Sequence, residues 1–176
     1  MSFRRRNVLL AGAGALLSGC GFQPVYMPTA SGQAGVAQQE LASVSVDLIP
    51  DRSGQLLRQA LQDRLEMANG SAPRRYDLSV AFWISGEGIA IQQNNTVTRI
   101  RAIGNATWAL TANDPGRTKL TGGFAKAVDA YNVFDTQYFA LDLENEATQK
   151  RLADALADQI TLQLAVYFRK RAAVTG

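Results

Sequence analysis

Apolar residues along this chain follow two rhythms, one near every second position and one near every fourth, and the changes between them predict the elements. Leu41-Ala42-Ser43-Val44-Ser45-Val46 alternates apolar with small polar residues and predicts a first strand, which Pro50 ends. Asp51 or Ser53 can cap a helix start. Leu57, Leu61, Leu65 and Ala68 then form a stripe, with Leu56 and Ala60 beside it. Gln55, Arg58, Gln62, Asp63 and Glu66 take the other side, and Asn69-Gly70 closes the helix. Tyr76, Leu78, Val80, Phe82 and Ile84 alternate with Asp77, Ser79, Ala81 and Ser85, so a second strand follows. Trp83 breaks its polar face. Gly86-Glu87-Gly88 suggests a bulge before Ile89 and Ile91, and Gln92 to Asn95 a turn.

Ile100, Ala102, Ala106, Trp108 and Leu110 share one parity of a long third strand, and Arg99, Arg101, Asn105 and Thr107 the other. This predicts one packed and one wet face. Asn113-Asp114-Pro115-Gly116 turns the chain into a last strand, Lys119 to about Tyr131, where Gly122-Gly123 weakens the pattern as a bulge would. Leu152, Leu156, Ile160, Leu164 and Phe168 mark a terminal helix, with Glu144 and Glu146 near its start and Arg169, Lys170 and Arg171 at its end, as the helix dipole favours. The order β-α-β-β-β-α predicts an α+β, two-layer sandwich: a four-stranded mixed sheet with two helices on one face. The first connection can be a right-handed crossover that sets strand one parallel to a neighbour, and the other three strands are most simply antiparallel.

The first nineteen residues belong to a different kind of segment. Arg4, Arg5 and Arg6 precede a ten-residue apolar run from Val8 to Leu17, and Leu17-Ser18-Gly19-Cys20 follows. This is the layout of a signal peptide, too short for the ~20 residues of a membrane span. Its end resembles the lipobox of bacterial lipoproteins, in which the cysteine takes a diacylglyceryl group. The predicted domains are therefore a signal peptide over 1–19, a lipidated tether rich in Gly, Pro, Ser, Ala and Gln over 20–39, and one α+β domain over 40–176. Gly21, rather than Asp, follows the cysteine. In Gram-negative lipoproteins that pattern implies the periplasmic face of the outer membrane.

Cleavage changes the charge balance. The chain carries 18 Lys+Arg against 15 Asp+Glu, and the removed segment takes three arginines and no acid, which leaves 15 of each. The basic pI of the full chain is thus no sign of nucleic-acid binding. There is no histidine, and Cys20 is the only cysteine. Ser–His, Cys–His and ordinary zinc sites are excluded, and no disulfide can brace the mature chain. Asp142, Glu144 and Glu146, or Asp154 and Asp158, have the composition of a glycan-hydrolysing carboxylate pair but fall on solvated helix positions. No catalytic residue, cofactor or metal site is assigned.

Three segments resemble one family, the lipopolysaccharide-assembly lipoproteins called LptE. They are Cys20-Gly21-Phe22-Gln23-Pro24-Val25-Tyr26, Asp51-Arg52-Ser53-Gly54-Gln55-Leu56-Leu57-Arg58, and Ala130-Tyr131-Asn132-Val133-Phe134-Asp135 before a long terminal helix. The last looks most like alphaproteobacterial members. The resemblance implies a non-enzymatic outer-membrane subunit that plugs the LptD β-barrel, assists its assembly and binds lipopolysaccharide. Arg99 and Arg101 project from one face of a strand, so they are candidates to hold lipid A phosphates by forked hydrogen bonds, with Lys119 and Lys126 beside them. The competing reading makes these cations ordinary wet-face charges or contacts to the barrel wall. Trp83 is a candidate barrel contact, against a chance exposed aromatic. Two rival functions stand beside this one: an auxiliary lipoprotein of an ABC-type transporter, and a lipid-anchored cell-wall hydrolase.

Overall fold

The computed structural model describes residues 35–66, 73–91, 97–133 and 138–175. Cys20, the signal segment, most of the tether, the Asn69-Gly70 helix stop and the Gln92 to Asn95 turn lie outside them. The described elements are α1 (Val36–Leu41), β1 (Val44–Val46), α2 (Arg52–Glu66), β2 (Tyr76–Ile91), β3 (Val97–Ala112), β4 (Lys119–Asn132) and α3 (Tyr138–Thr175). The strands form one sheet in the order β1-β2-β3-β4, with β1 parallel to β2 and the other pairs antiparallel. This is the α+β mixed sheet with helices on one face that the sequence predicts.

The core follows the stripes. Leu57, Leu61 and Leu65 of α2 and Leu152, Leu156, Ile160, Leu164 and Phe168 of α3 are all buried, as are Leu78, Ala106, Trp108 and Leu110 of the sheet. Each large apolar side chain removed from water in this way contributes about 1.5–3 kcal/mol. At Gly104 an added Cβ would stand 3.2 Å from the Leu156 side chain and 3.6 Å from that of Leu152, so helix and sheet approach closely there. Arg52 pairs with Glu146, and Arg64 reaches Asp158 at 2.6 Å and Asp154 at 3.4 Å. Both links join positions about twelve residues further along each helix, so α2 and α3 run in the same direction.

Four details differ from the sequence reading. The first strand begins at Val44, because Val36–Leu41 forms a short helix whose Ala37 and Leu41 are buried. Of the two helix starts that the sequence offers, Asp51 is the one that agrees: α2 begins directly after it, with Asp51 at φ 66°. The glycine pair in β4 is no bulge: Gly122 and Gly123 stay in register with Ala109 and Trp108, and the slip falls between Leu110 and Thr111. A Cβ at Gly123 would lie 2.9 Å from the Trp108 indole and 2.7 Å from Gln163 Oε1, so glycine is there to admit the ring. Finally, α3 extends beyond both charge groups, with no acid in its first turn and no base in its last. Glu146 instead ties α3 to α2, and the Arg171 guanidinium lies 6.0 Å from the Tyr76 ring centre. In β2 pairing runs evenly through Gly88, then skips Ile89, which places the bulge just after the glycines.

Candidate functional site

The face of the sheet away from the helices presents alternate residues of β2, β3 and β4, and the register sorts them into rows. Trp83, Asn105 and Lys126 form one row, Ala81, Thr107 and Phe124 the next, and Ser85, Ile103 and Val128 the row on the other side. Neighbours within a row stand ~4.5–5.5 Å apart, so Ile103 and Val128 are direct neighbours, while Asn105 and Thr107 stand between Trp83 and Ala81 on one side and β4 on the other. Trp83 and Phe124 are each 50% exposed and Val128 57%. The middle of the face predicted to be wet is therefore a mixed patch, in which Trp83, Ile103, Phe124 and Val128 stand among Ser85, Asn105, Thr107 and Lys126. Large exposed apolar side chains gathered on one sheet face and rimmed by polar ones are of the kind found at interaction sites.

Basic residues lie on the same face but do not form one cluster. Arg101 sits opposite Glu87, and its Nη1 approaches Glu87 Oε2 to 3.4 Å. Arg99 is exposed two residues away, ~7 Å along the strand, close enough for both guanidinium groups to reach one phosphate. Lys126 faces Asn105, four residues from Arg101 and so ~14 Å off. Lys119 faces Thr111, ten residues and ~34 Å from Arg101. Three of the four sequence candidates thus make a basic track along the patch, and Lys119 stands at the opposite end of the sheet.

That opposite end is a structural clasp. Asp77 is buried, with its carboxylate 2.6 Å from Arg74 Nε and 3.4 Å from Arg117 Nη2. A cleft of about 210 Å³ opens nearby between α1, β2 and α3, lined by Val36, Glu40, Arg75, Tyr76, Phe168 and Arg171. Its groups engage one another: Arg75 pairs with Glu40 at 2.5 Å, and the Tyr76 hydroxyl donates to Glu40 at 2.7 Å. Burial pushes the Glu40 carboxyl up, but the hydrogen bonds from Arg75 and Tyr76 and the charges of Arg75 and Arg171 outweigh it and hold the group below its ordinary value.

Three of the five carboxylates weighed for hydrolysis go to structural ion pairs, Glu146 with Arg52 and Asp154 and Asp158 with Arg64. Among the described residues no group of three or more acidic side chains is placed to hold a metal.

The two sheet edges are unlike. Along β4, Gln159 of α3 accepts a hydrogen bond from the Lys126 backbone N–H at 3.3 Å and donates to its carbonyl at 3.0 Å, as a neighbouring strand would. Gln163, one turn on, donates to the Phe124 carbonyl at 3.1 Å and accepts from the Trp108 indole at 3.0 Å. Arg151 completes the series on Asp129 at 2.6 Å. The terminal helix thus covers the middle of that edge, at Phe124 and Lys126. At the other edge, β1 pairs only with Tyr76, Asp77 and Leu78 of the sixteen-residue β2.

Phe124, Val128 and the two glutamines are the members that sequence reasoning missed. Phe124 and Val128 share the parity of Lys126, a signal that Gly122-Gly123 obscured.

Comparison with known proteins gives the following. A family model described as LptE, lipopolysaccharide-assembly, matches residues 41–164. No curated protein matches the chain in sequence. Among solved structures, a protein described as a lipoprotein of Caulobacter crescentus CB15 is 23% identical, with a TM-score of 0.62 over 76% of this chain and 96% of that one. The rare lipoprotein B of Shewanella oneidensis is 16% identical, with a TM-score of 0.54 over 76% and 97%. A minor lipoprotein of Acinetobacter baumannii is 19% identical, with a TM-score of 0.51 over 70% and 90%. At these identities the likeness establishes a shared fold. Among the described residues no helix is long and apolar enough to cross a membrane.

Proposed function

The chain belongs to the LptE family of lipopolysaccharide-assembly proteins, and from that premise we propose that it is the outer-membrane lipoprotein subunit of a lipopolysaccharide translocon. The observation that carries the reading is the extent of the match, which runs from Leu41 before β1 to Leu164 inside α3 and so takes in the whole sheet. The family is non-enzymatic, and the protein works by contact.

In this reading Cys20 carries the lipid that holds the chain at the periplasmic side of the outer membrane. Two acyl chains are needed for stable attachment at ~0.8 kcal/mol per buried methylene. The folded domain plugs an LptD-type barrel and assists its assembly. A mature chain of balanced charge suits a polar lumen. The patch of Trp83, Phe124 and Val128 supplies the apolar contact to the barrel, and the track of Arg99, Arg101 and Lys126 meets lipopolysaccharide phosphates. Arg101 would exchange its single 3.4 Å contact with Glu87 for a forked one.

Depletion of the protein in its own cells tests the reading. It predicts loss of mature barrel together with loss of lipopolysaccharide from the cell surface; a normal surface and normal barrel after depletion would overturn it. For the glycolipid site, Arg99→Asp with Arg101→Asp is expected to weaken lipopolysaccharide binding at least tenfold, ~1.4 kcal/mol, with circular dichroism unchanged. Lys119→Asp should leave binding as it was. Equal binding by the double variant and the native protein removes the two arginines from the site.

A further inference from the structure

We propose that the outer edge of β2, from Val80 to Gly88, is a strand-acceptor that binds an uncharged extended segment of the partner polypeptide, which adds to the sheet as a fifth strand in line with β1.

The direction of the backbone groups follows from the hydrogen bonds of β1. The Tyr76 N–H donates to the Ser43 carbonyl, and the Leu78 carbonyl accepts from the Asp47 N–H, so even-numbered residues of β2 point away from β3. Val80, Phe82, Ile84, Gly86 and Gly88 therefore aim both N–H and C=O outward. Among the described residues no strand lies alongside them and no side chain bonds them. The contrast with β4 is the informative part, because there glutamines of α3 occupy the equivalent groups of Phe124 and Lys126.

An unprotected edge is a template for another strand, and folded proteins usually blunt one with proline, lysine, a bulge or a cover. From Ser79 to Gly86 there is no proline and no charged side chain, and the bulge comes only after Gly88. The chain's own β1 does not continue into the slot: beyond Asp47 the buried Ile49 turns into the core, and its carbonyl accepts from Gln55 Nε2 at 2.6 Å instead. Only an extended backbone matches an alternating donor and acceptor row of this kind, ~30 Å long. Its side chains would lie beside Phe82 and Ile84 on the helix side and beside Ala81 and Trp83 on the open side, all uncharged, so the segment is apolar on both faces at its middle.

The identity of the partner as a barrel rests on the proposed function; the strand-acceptor does not. Hydrogen exchange on the full lipidated chain, isolated from native membranes with whatever it binds, separates the two. The complex is expected to protect the amides of Val80, Phe82, Ile84, Gly86 and Gly88 by on the order of 100-fold over the isolated chain, while those of Ala81, Trp83, Ser85 and Glu87 are slow in both. Unchanged exchange at the five in a complex that contains a barrel overturns the acceptor and leaves the function standing. Protection with a partner that is not a barrel does the reverse. Protection that grows with concentration of the isolated chain overturns the proposal in favour of pairing between two copies. No partner and no protection overturns both. Gly86→Pro provides a second arm, since its N–H serves no ladder bond and proline is tolerated on such an edge. It should keep the melting transition and lose the alternate protection; full protection in that variant also counts against the acceptor.

Discussion

Gly123→Ala puts the smallest possible side chain where helix α3 meets β4, and the structure sets its cost. The new methyl group would stand 2.7 Å from Gln163 Oε1 and 2.9 Å from the Trp108 ring, both well inside contact distance. Gln163 cannot move aside freely. Its oxygen accepts from the Trp108 indole at 3.0 Å and its nitrogen donates to the Phe124 carbonyl at 3.1 Å. Trp108 is 4% exposed, so an indole N–H that loses this partner loses hydrogen bonding altogether, at about 1–3 kcal/mol. Displacing the ring within a packed core adds about 1–3 kcal/mol. The variant should therefore lose roughly 2–6 kcal/mol, which at a urea slope of about 2 kcal/mol/M lowers the denaturation midpoint by about 1–3 M. Gly116→Ala, where the nearest atom is 3.6 Å away, is the control and should change little. Combining Gly123→Ala with Gln163→Ala should cost less than the sum of the two, because one clash is gone. A Gly123→Ala midpoint within about 0.2 M of native would refute the account of why glycine occupies the position.

Other variants probe the remaining seams. Thr161 is buried and its hydroxyl has no hydrogen-bond partner among the described residues, so Thr161→Val should stabilise by about 1 kcal/mol in the same assay, and a loss would mean that the hydroxyl is satisfied. Gln159→Ala strips both partners from the Lys126 backbone at an edge that water can reach; about 1 kcal/mol of stability should go, and self-association measured by light scattering should rise. Glu40 is held below its ordinary carboxylate value in the fold, so its contribution is complete above about pH 4.3 and is lost as pH falls through the lower folded value. Glu40→Gln should accordingly be less acid-sensitive below pH 4.3 than the native chain, and parallel acid transitions would contradict the pairing with Arg75.

The fold was largely legible because its helices carry long stripes. Leu57, Leu61 and Leu65 in α2 and the five large residues of α3 lie where a period near 3.6 puts them, and all eight are buried. Helix α1 was not legible: six residues with Ala37 and Leu41 as the only buried positions are too short to show a period. Nor was the start of α3, since Phe139 at 89% exposure and Leu143 at 68% carry no buried stripe. Gly122-Gly123 looked like a break in a strand because the ring that requires them, Trp108, lies on a different strand. The site shows the same division. Parity alone places Arg99 and Arg101 on one face, but the patch of Trp83, Phe124 and Val128 exists only through the register of three strands. The separation of Lys119 from the arginines is also a matter of register, and so is the covering of the middle of β4 by glutamines that the sequence presents as ordinary polar helix positions.

The assignment to lipopolysaccharide assembly is tested most directly by affinity purification of the native-level protein from detergent-solubilised outer membranes, with every co-purifying polypeptide identified and its stoichiometry measured. The account predicts one large outer-membrane barrel at a ratio of one to one, retained through washes at high salt. Recovery of the chain with an inner-membrane transporter, or with no barrel at all, would contradict it.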